Sequence, residues 1–307
     1  MPLDVTCVTL TMRGYRATIS TPPLTQFKRC LLPFHHTMTL YQQVHEYLDR
    51  TGRRPKKKLG QHFLIDPNVL QEIVGASELT DADFALEIGA GLGFLTSALA
   101  ANAKKVVAIE LDDVLYAELQ RKFRDVFHVA LIQADILKLD VSHLLNEFPP
   151  PNTKIIANLP YYITTPILWK LLKHHEQIGT CVLMLQTEVA QRIVAPPGGK
   201  DYGALSIGVS YYAQAEIVQT LTPDRFYPSP QVDSAILKLK MRDKPEVAVE
   251  NEALFFMIVR AAFQARRKML RNALARSSVS ISGKELDAVF DQVGIDSRRR
   301  GETLDIT

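Results

Sequence analysis

The stretch "IIANLPYYIT" (155–164) carries an apolar run into an amide, a proline and two tyrosines. Asn158 offers a side-chain carbonyl. Pro160 drives Leu159 toward extended backbone, which fixes the direction of a main-chain carbonyl. Tyr161 supplies a flat face. Two acceptors beside a ring suit a planar base that bears an amino group. The acceptors take both N–H groups and draw the nitrogen toward tetrahedral geometry, while the base stacks on the ring. A base inside a duplex cannot reach such a device, so it must be flipped out or unpaired. The plainer alternative is a turn punctuated by Asn and Pro, with Tyr161 filling core.

A second stretch, "LEIGAGLG", places Gly89, Gly91 and Gly93 between an apolar run and a helical pattern. Glycine there lets the backbone turn sharply and approach a ligand. The dinucleotide fingerprint G-x-G-x-x-G fails at its third glycine, where Phe94 stands. The spacing E-x-G-x-G-x-G instead resembles the first motif of S-adenosylmethionine-dependent methyltransferases. Glu110 ends the next apolar run, where a carboxylate accepts from both hydroxyls of a ribose. Asp135, in "QADIL", follows the third, where it would accept from the amino group of the cofactor's adenine. A nicotinamide enzyme would also use Glu110, so only Asp135 and the missing glycine favour the sulfonium cofactor.

Positioning these residues requires an α/β fold. Apolar runs at 84–88, 105–110, 128–133, 154–158, 181–186 and 235–240 read as strands, and 94–102, 113–123 and 165–175 as helices. In the last helix, Thr165 is expected at the N-cap and Pro166 at the first helical position. Strand–helix alternation predicts right-handed βαβ units and a mostly parallel, Rossmann-like sheet. Ligands of such sheets bind beyond the carboxyl ends of the strands, which gathers the glycine loop, Glu110, Asp135 and Asn158 around one crevice. Three regions are predicted: an N-terminal extension (1–52), a catalytic domain (53–245) and a small C-terminal helical domain (246–307).

Composition is that of a soluble globular protein, 47% hydrophobic and 22% charged, with no run long enough to span a membrane. Cys7, Cys30 and Cys181 are scattered and form no CxxC pair, so no disulfide framework or metal site is expected. The net charge of +3 matters less than its distribution. "RRPKKK" (53–58) is basic. In 251–276, Arg260, Arg266, Arg267, Lys268, Arg271 and Arg276 face one acid, Glu252, while Phe255, Val259, Phe263, Leu270 and Leu274 recur at helical spacing. A helix docked by its apolar side then presents a positive face to an anionic polymer; a merely solvated face is the alternative. Residues 1–37 lack acids after Asp4 and carry scattered bases. They fit an organellar transit peptide, or translated upstream sequence with Met38 as initiator, which is favoured; they are expected to be poorly ordered. The location expected is cytoplasmic, or organellar if the transit peptide is real.

Seven segments occur in the order found in KsgA/RsmA-type ribosomal RNA adenine N6,N6-dimethyltransferases: "KKKLGQHFLID", "EIGAGLGFLT", "VVAIELD", "ADIL", "NLPYYITTPIL", "TPDRFYPSPQVDSAIL" and "FFMIVRAAFQARRKMLRNAL". The chain resembles that family from about Pro55 to about Leu304. The resemblance implies dimethylation of two adjacent adenosines in the 3′-terminal hairpin loop of small-subunit rRNA, within an assembling 30S-type particle, by a monomer using S-adenosylmethionine. It sets His62 and Leu64 over the cofactor and Gly89 and Gly91 beneath it, with Glu110 on the ribose and Asp135 on its adenine. Asn158, Pro160 and Tyr161 would handle the target base, and Phe226 would close its other face. Arg266, Arg267, Lys268 and Arg271 would meet rRNA phosphates. His62 stands where many relatives have Asn, and the chain ends at "RRRGETLDIT", where relatives continue into a last helix. The rival within the class is an Erm-type enzyme acting on large-subunit rRNA. The rival outside it is a non-catalytic assembly or organellar transcription factor on the same fold.

Overall fold

The computed structural model describes residues 38–148, 150, 152–265, 268–277, 279 and 281–307, and the backbone of 7–12 and 15–20. Of the segment 1–37, only two strands are described, β1 (Cys7–Met12) and β2 (Tyr15–Ser20), which pair antiparallel. The rest of that segment, and Arg266 and Arg267, lie outside the described residues.

The chain forms two compact units, residues 1–187 with 217–241 and residues 188–216 with 242–307. In the first, β3 (Phe63–Leu64) precedes β4 (Phe84–Ile88), β5 (Lys105–Glu110), β6 (Val129–Gln133), β7 (Thr153–Asn158) and β8 (Thr180–Gln186). Later come β9 (Ala213–Leu221, in this unit from Ile217), β10 (Phe226–Tyr227) and β11 (Ser234–Met241). The large sheet runs β1-β2-β6-β5-β4-β7-β8-β11-β9. Strands β6, β5, β4, β7 and β8 are parallel, and β2 and β11 flank them antiparallel. The near-continuous burial of β5 and β8 is what a sheet covered on both faces demands. From β4 the chain steps outward through β5 and β6, then crosses back to place β7 on the other side of β4. Loops leaving β4 and β7 therefore diverge and open a crevice at their carboxyl ends.

Helices α1 (Leu40–Thr51), α2 (Pro67–Ser77), α3 (Phe94–Ala100), α4 (Asp113–Lys122), α5 (Val141–Leu145) and α6 (Thr164–Leu172) belong to this unit. Thr39 caps α1 reciprocally with Gln42, and Val44 and Tyr47 pack it on Phe63, Leu92 and Leu115. A boundary at 52/53 thus cuts behind a helix that is built into the first unit. Helix α6 starts at Thr164 with Ile163 as N-cap, so Thr165 and Pro166 sit inside its first turn rather than at its edge.

The second unit holds α7 (Thr187–Val194, from its second residue), α8 (Ala204–Tyr212), α9 (Glu252–Gln264), α10 (Leu270–Ala275) and α11 (Gly283–Val293). The expected helical domain at 246–307 therefore gains residues 188–216, because the chain leaves the sheet after β8 and returns as β9. Tyr202, Ile207 and Val259 form one of its cores, and Leu270, Leu274, Leu286 and Phe290 belong to another.

Candidate active site

A cavity lies at the carboxyl ends of β4, β5, β6 and β7. The loop after β4 brings Gly89 and Gly91 to it, β5 ends in Glu110, Asp135 follows β6, and Asn158 with Pro160 closes β7. His62 and Leu64 line it from the segment that contains β3. All eight cofactor and base candidates just named meet in one place.

Glycine is required in the loop. Gly89 and Gly91 have φ of 79° and 58°, which other residues rarely adopt. A Cβ on Gly89 would lie 3.6 Å from the Asn158 carbonyl oxygen, and one on Gly91 would lie 3.7 Å from the Phe63 ring. Glu110 closes the loop from below: Oε2 accepts the Gly91 N–H and Oε1 the Asp112 N–H, each at 2.8 Å. Each carboxylate oxygen keeps a further lone pair for a ligand hydroxyl. Burial pushes the Glu110 carboxyl up against the pull of those two N–H groups, and the neighbouring Asp112 charge adds to the rise. Asp135 accepts the Leu137 N–H through Oδ1 at 2.9 Å and stays partly exposed at the rim.

Sequence reasoning missed the loop's other support. Lys122, in the last turn of α4, donates to the carbonyls of Leu92 at 3.1 Å and Gly93 at 2.9 Å. Its ammonium also lies over the rings of Phe94 and Phe123, 5.1 and 5.5 Å from their centroids. Burial lowers its pKa to about 8, although the Glu87 charge pulls it back up. Glu87 itself is 1% exposed, lines the cavity and has an Oε2 without a hydrogen-bond partner; burial raises it to about 8. In the sequence it was one base beside Gln120 and Arg121 at a polar helix end, which gave no signal of this role. Replacing Lys122 with Met keeps its bulk but leaves two loop carbonyls unpaired. Cofactor-product affinity, measured by calorimetry, should then fall by about tenfold or more; unchanged affinity would remove Lys122 from the loop's support.

At the end of β7, Asn158 Nδ2 donates to the His62 carbonyl at 3.1 Å. A carbonyl only accepts, so this bond fixes which amide atom is nitrogen and leaves Oδ1 as the free acceptor. The Leu159 N–H donates to Met184 O at 2.9 Å, and its side chain is 1% exposed, which anchors the strand end. The Tyr161 hydroxyl lies 2.7 Å from Ser234 Oγ. Ser234, which ends "FYPSPQVDS" and opens β11, thus anchors the Tyr161 hydroxyl, a contact that sequence reasoning missed.

Two assignments change. Phe226 pairs with Leu64 in the β3–β10 ribbon, is 2% exposed in the core and is not among the residues that line the cavity; neither is Tyr161, whose neighbour Tyr162 lines it instead. In the helical unit, the expected single basic helix is two, α9 and α10. Lys268 is exposed, but Arg271 pairs with both carboxylate oxygens of Asp287 on α11 and donates to Gly283 O at 3.3 Å. Packing of α10 beside α11 thus holds that guanidinium within the unit instead of leaving it for phosphate.

The donor set fits S-adenosylmethionine: a glycine-built passage, a buried acid with lone pairs to spare at the second strand end and a second acid at the third. The family profile of the ribosomal RNA adenine dimethylases matches residues 52–307. The ribosomal RNA small subunit methyltransferase A of Geobacillus thermodenitrificans is 46% identical over 278 residues, 89% of this chain and 94% of that one. Its namesake in Clostridium acetobutylicum is 42% identical over 261 residues, 85% of this chain and 93% of that one. Among solved structures, a dimethyladenosine transferase from Plasmodium falciparum aligns with a TM-score of 0.69 and 26% identity, covering 80% of this chain and 94% of that chain. The 23S rRNA methyltransferase ErmE aligns with a TM-score of 0.61 and 25% identity, covering 80% and 95%. The glycine-lined cavity, its two acids and the amide at the tip of β7 are those of an S-adenosylmethionine-dependent enzyme, and the chain belongs to the ribosomal RNA adenine dimethylase family.

Proposed function

We propose that the protein dimethylates N6 of two adjacent adenosines in the 3′-terminal hairpin loop of small-subunit rRNA during ribosome assembly. The observation that carries this reading is the Asn158 amide, whose nitrogen is tied to the His62 carbonyl and whose oxygen is thereby left to accept from an amino group at the cavity. Bound S-adenosylmethionine supplies an electrophilic methyl carbon. The chain's own residues prepare the nucleophile. Asn158 Oδ1 accepts one N–H of the base, the Leu159 carbonyl takes the other, and Tyr161 supports the ring by stacking. Glu110 and Asp135 orient the cofactor, and the bonded glycine loop keeps it in register. The released proton passes to water, so no side-chain base is required.

A site for everted bases suits the unstacked loop of an RNA hairpin. Among the described residues, no helix is long and apolar enough to cross a membrane. Exposed Arg260, Lys268 and Arg276 on the helical unit would meet phosphates, and Arg266 and Arg267 are proposed to join them. The curated relatives are named for the small subunit, which favours that substrate over the large-subunit rRNA named for ErmE.

Labelled methyl transfer to undermethylated small and large ribosomal subunits, with nucleoside analysis, tests the proposal. Dimethyladenosine at two adjacent positions of small-subunit rRNA is expected. Label confined to large-subunit rRNA would overturn it in favour of the Erm-type reading, and no label in either would favour a binding factor.

A further inference from the structure

Asp135 opens a turn at the end of β6. Its main-chain carbonyl accepts the N–H groups of Lys138 and Leu139, both at 2.9 Å, and its Oδ1 accepts the Leu137 N–H at 2.9 Å. Oδ2 is then the carboxylate oxygen left for a ligand. The Lys138 ammonium lies 3.9 Å from it on a side chain that is 78% exposed, and such a pair holds little in water. Ile136 and Leu139 bury the apolar side of the turn.

The polar side is held from a distance. Lys170 Nζ donates to Leu137 O at 3.1 Å and also to Leu139 O, 33 and 31 positions away. A charged donor holds two carbonyls more firmly than a neutral one would. Lys170 stands on α6, where Ile167, Leu168, Leu171 and Leu172 are each 0% exposed, so its stem starts from a fixed point. Burial lowers the pKa of its ammonium, against the pull of the Asp140 and Asp135 charges. The same helix begins at Thr164, whose hydroxyl donates to Pro160 O at 3.3 Å. One rigid element therefore reaches from the turn after β7 to the turn after β6.

We propose that Lys170 is the positioning residue that makes the site read the purine of its cofactor. By pinning the turn it aims the free Asp135 oxygen at the adenine amino group, and so selects an adenosyl ligand over one with a carbonyl at that ring position. This rests on the reading that Asp135 accepts from that amino group. Lys170 does not line the cavity and acts through Asp135. Without it, Leu137 O and Leu139 O lose their donor, only the apolar side holds the turn, and the carboxylate loses its fixed aim. An amino group then gains less from the carboxylate, and a ring carbonyl is repelled less.

Calorimetry with S-adenosylhomocysteine and S-inosylhomocysteine, which carry an amino group and a carbonyl at that position, tests the proposal. Wild type should prefer the adenosyl ligand by about 10- to 100-fold, the scale of one hydrogen bond to a charged group. Lys170→Met keeps most of the stem and should narrow that preference by about tenfold, mainly through weaker adenosyl binding. Lys170→Arg retains several donors and should restore most of it. Lys122→Met loosens the glycine loop instead, so it should weaken both ligands alike and leave the preference intact. Thermal melts confirm folding, and Lys170→Gln, one bond shorter than lysine, serves if the methionine variant unfolds. The inference is overturned if folded Lys170→Met keeps the wild-type preference or weakens both ligands equally. It is also overturned if Lys170→Arg is as impaired, or if Lys122→Met narrows the preference as much. Asp135→Ala keeps two failures apart, since it should abolish the preference. If it does not, the reading of Asp135 is wrong and the inference falls with it. If it does while Lys170→Met changes nothing, Asp135 stands and only the role of Lys170 is lost.

Discussion

Asn158→Ala should reduce methyl transfer by about 10²–10³-fold or more, the scale seen when one preorganised polar group is removed from a reacting centre. RNA binding should persist, because Asn158 contributes nothing to the positive surfaces that hold phosphate. The amide does two jobs: Nδ2 ties the β7 tip to the His62 carbonyl and Oδ1 faces the base. Asn158→Asp separates them. It retains an acceptor but sets a carboxylate oxygen against the His62 carbonyl, so the tie becomes a repulsion and the side chain turns away. If orientation matters as argued, the aspartate variant is impaired nearly as much as the alanine one. Single-turnover rates at saturating cofactor, with filter binding for RNA, provide the readout. Full turnover by Asn158→Ala would falsify the mechanism, and high activity of Asn158→Asp would show that any oxygen at that point suffices.

Much of this site was legible because its residues sit where short-range rules apply. Glycine after a strand, an acid at a strand end and Asn-x-Pro at a fourth are local signals, and strand alternation assembles them without knowledge of packing. The strands that bear them were placed to within about one residue, as β4, β5, β6 and β7 show. What escaped depends on contacts between distant segments. The antiparallel ribbon of Phe63–Leu64 with Phe226–Tyr227 joins residues more than 160 positions apart, and no periodicity announces a strand two residues long. That ribbon buries Phe226 and brings Pro228 to His62. Strand β9 was missed although its burial alternates, because Val218 on its exposed side and Gln219 on the other break the apolar–polar alternation of the sequence. Lys122 drew no notice in the sequence, and only the packing of α4 on the glycine loop makes it a half-buried anchor of two loop carbonyls. Arg271 looked like a phosphate ligand, and only the placement of α11 reveals Asp287 beside it.

Glu110→Ala should weaken S-adenosylhomocysteine binding by about 10²-fold or more. The carboxylate loses its charge-assisted bonds to the ribose, roughly 1.5–3 kcal/mol for each bond to a charged group. The Gly91 and Asp112 N–H groups also lose their acceptor, so the loop that cradles the ligand loosens. Two pH dependences follow from burial raising the Glu110 carboxyl, and they run in opposite directions. Ribose hydroxyls are held by the ionised form, so affinity should fall as pH drops through the raised pKa, beginning above the ordinary carboxylate range. Stability of the ligand-free protein goes the other way. A raised folded-state pKa means the folded chain binds more protons than the unfolded one, so this group's contribution is fully present below the unfolded value and is lost as pH rises through the folded value. Acidification should therefore firm the empty protein while it releases the cofactor. The difference between wild-type and Glu110→Ala melting curves isolates the stability slope, and calorimetric titration across the same pH range isolates the affinity slope. Parallel slopes, or a wild-type affinity as flat with pH as the variant's, would mean that Glu110 meets its ligand in the protonated form and does not hold the ribose as a carboxylate.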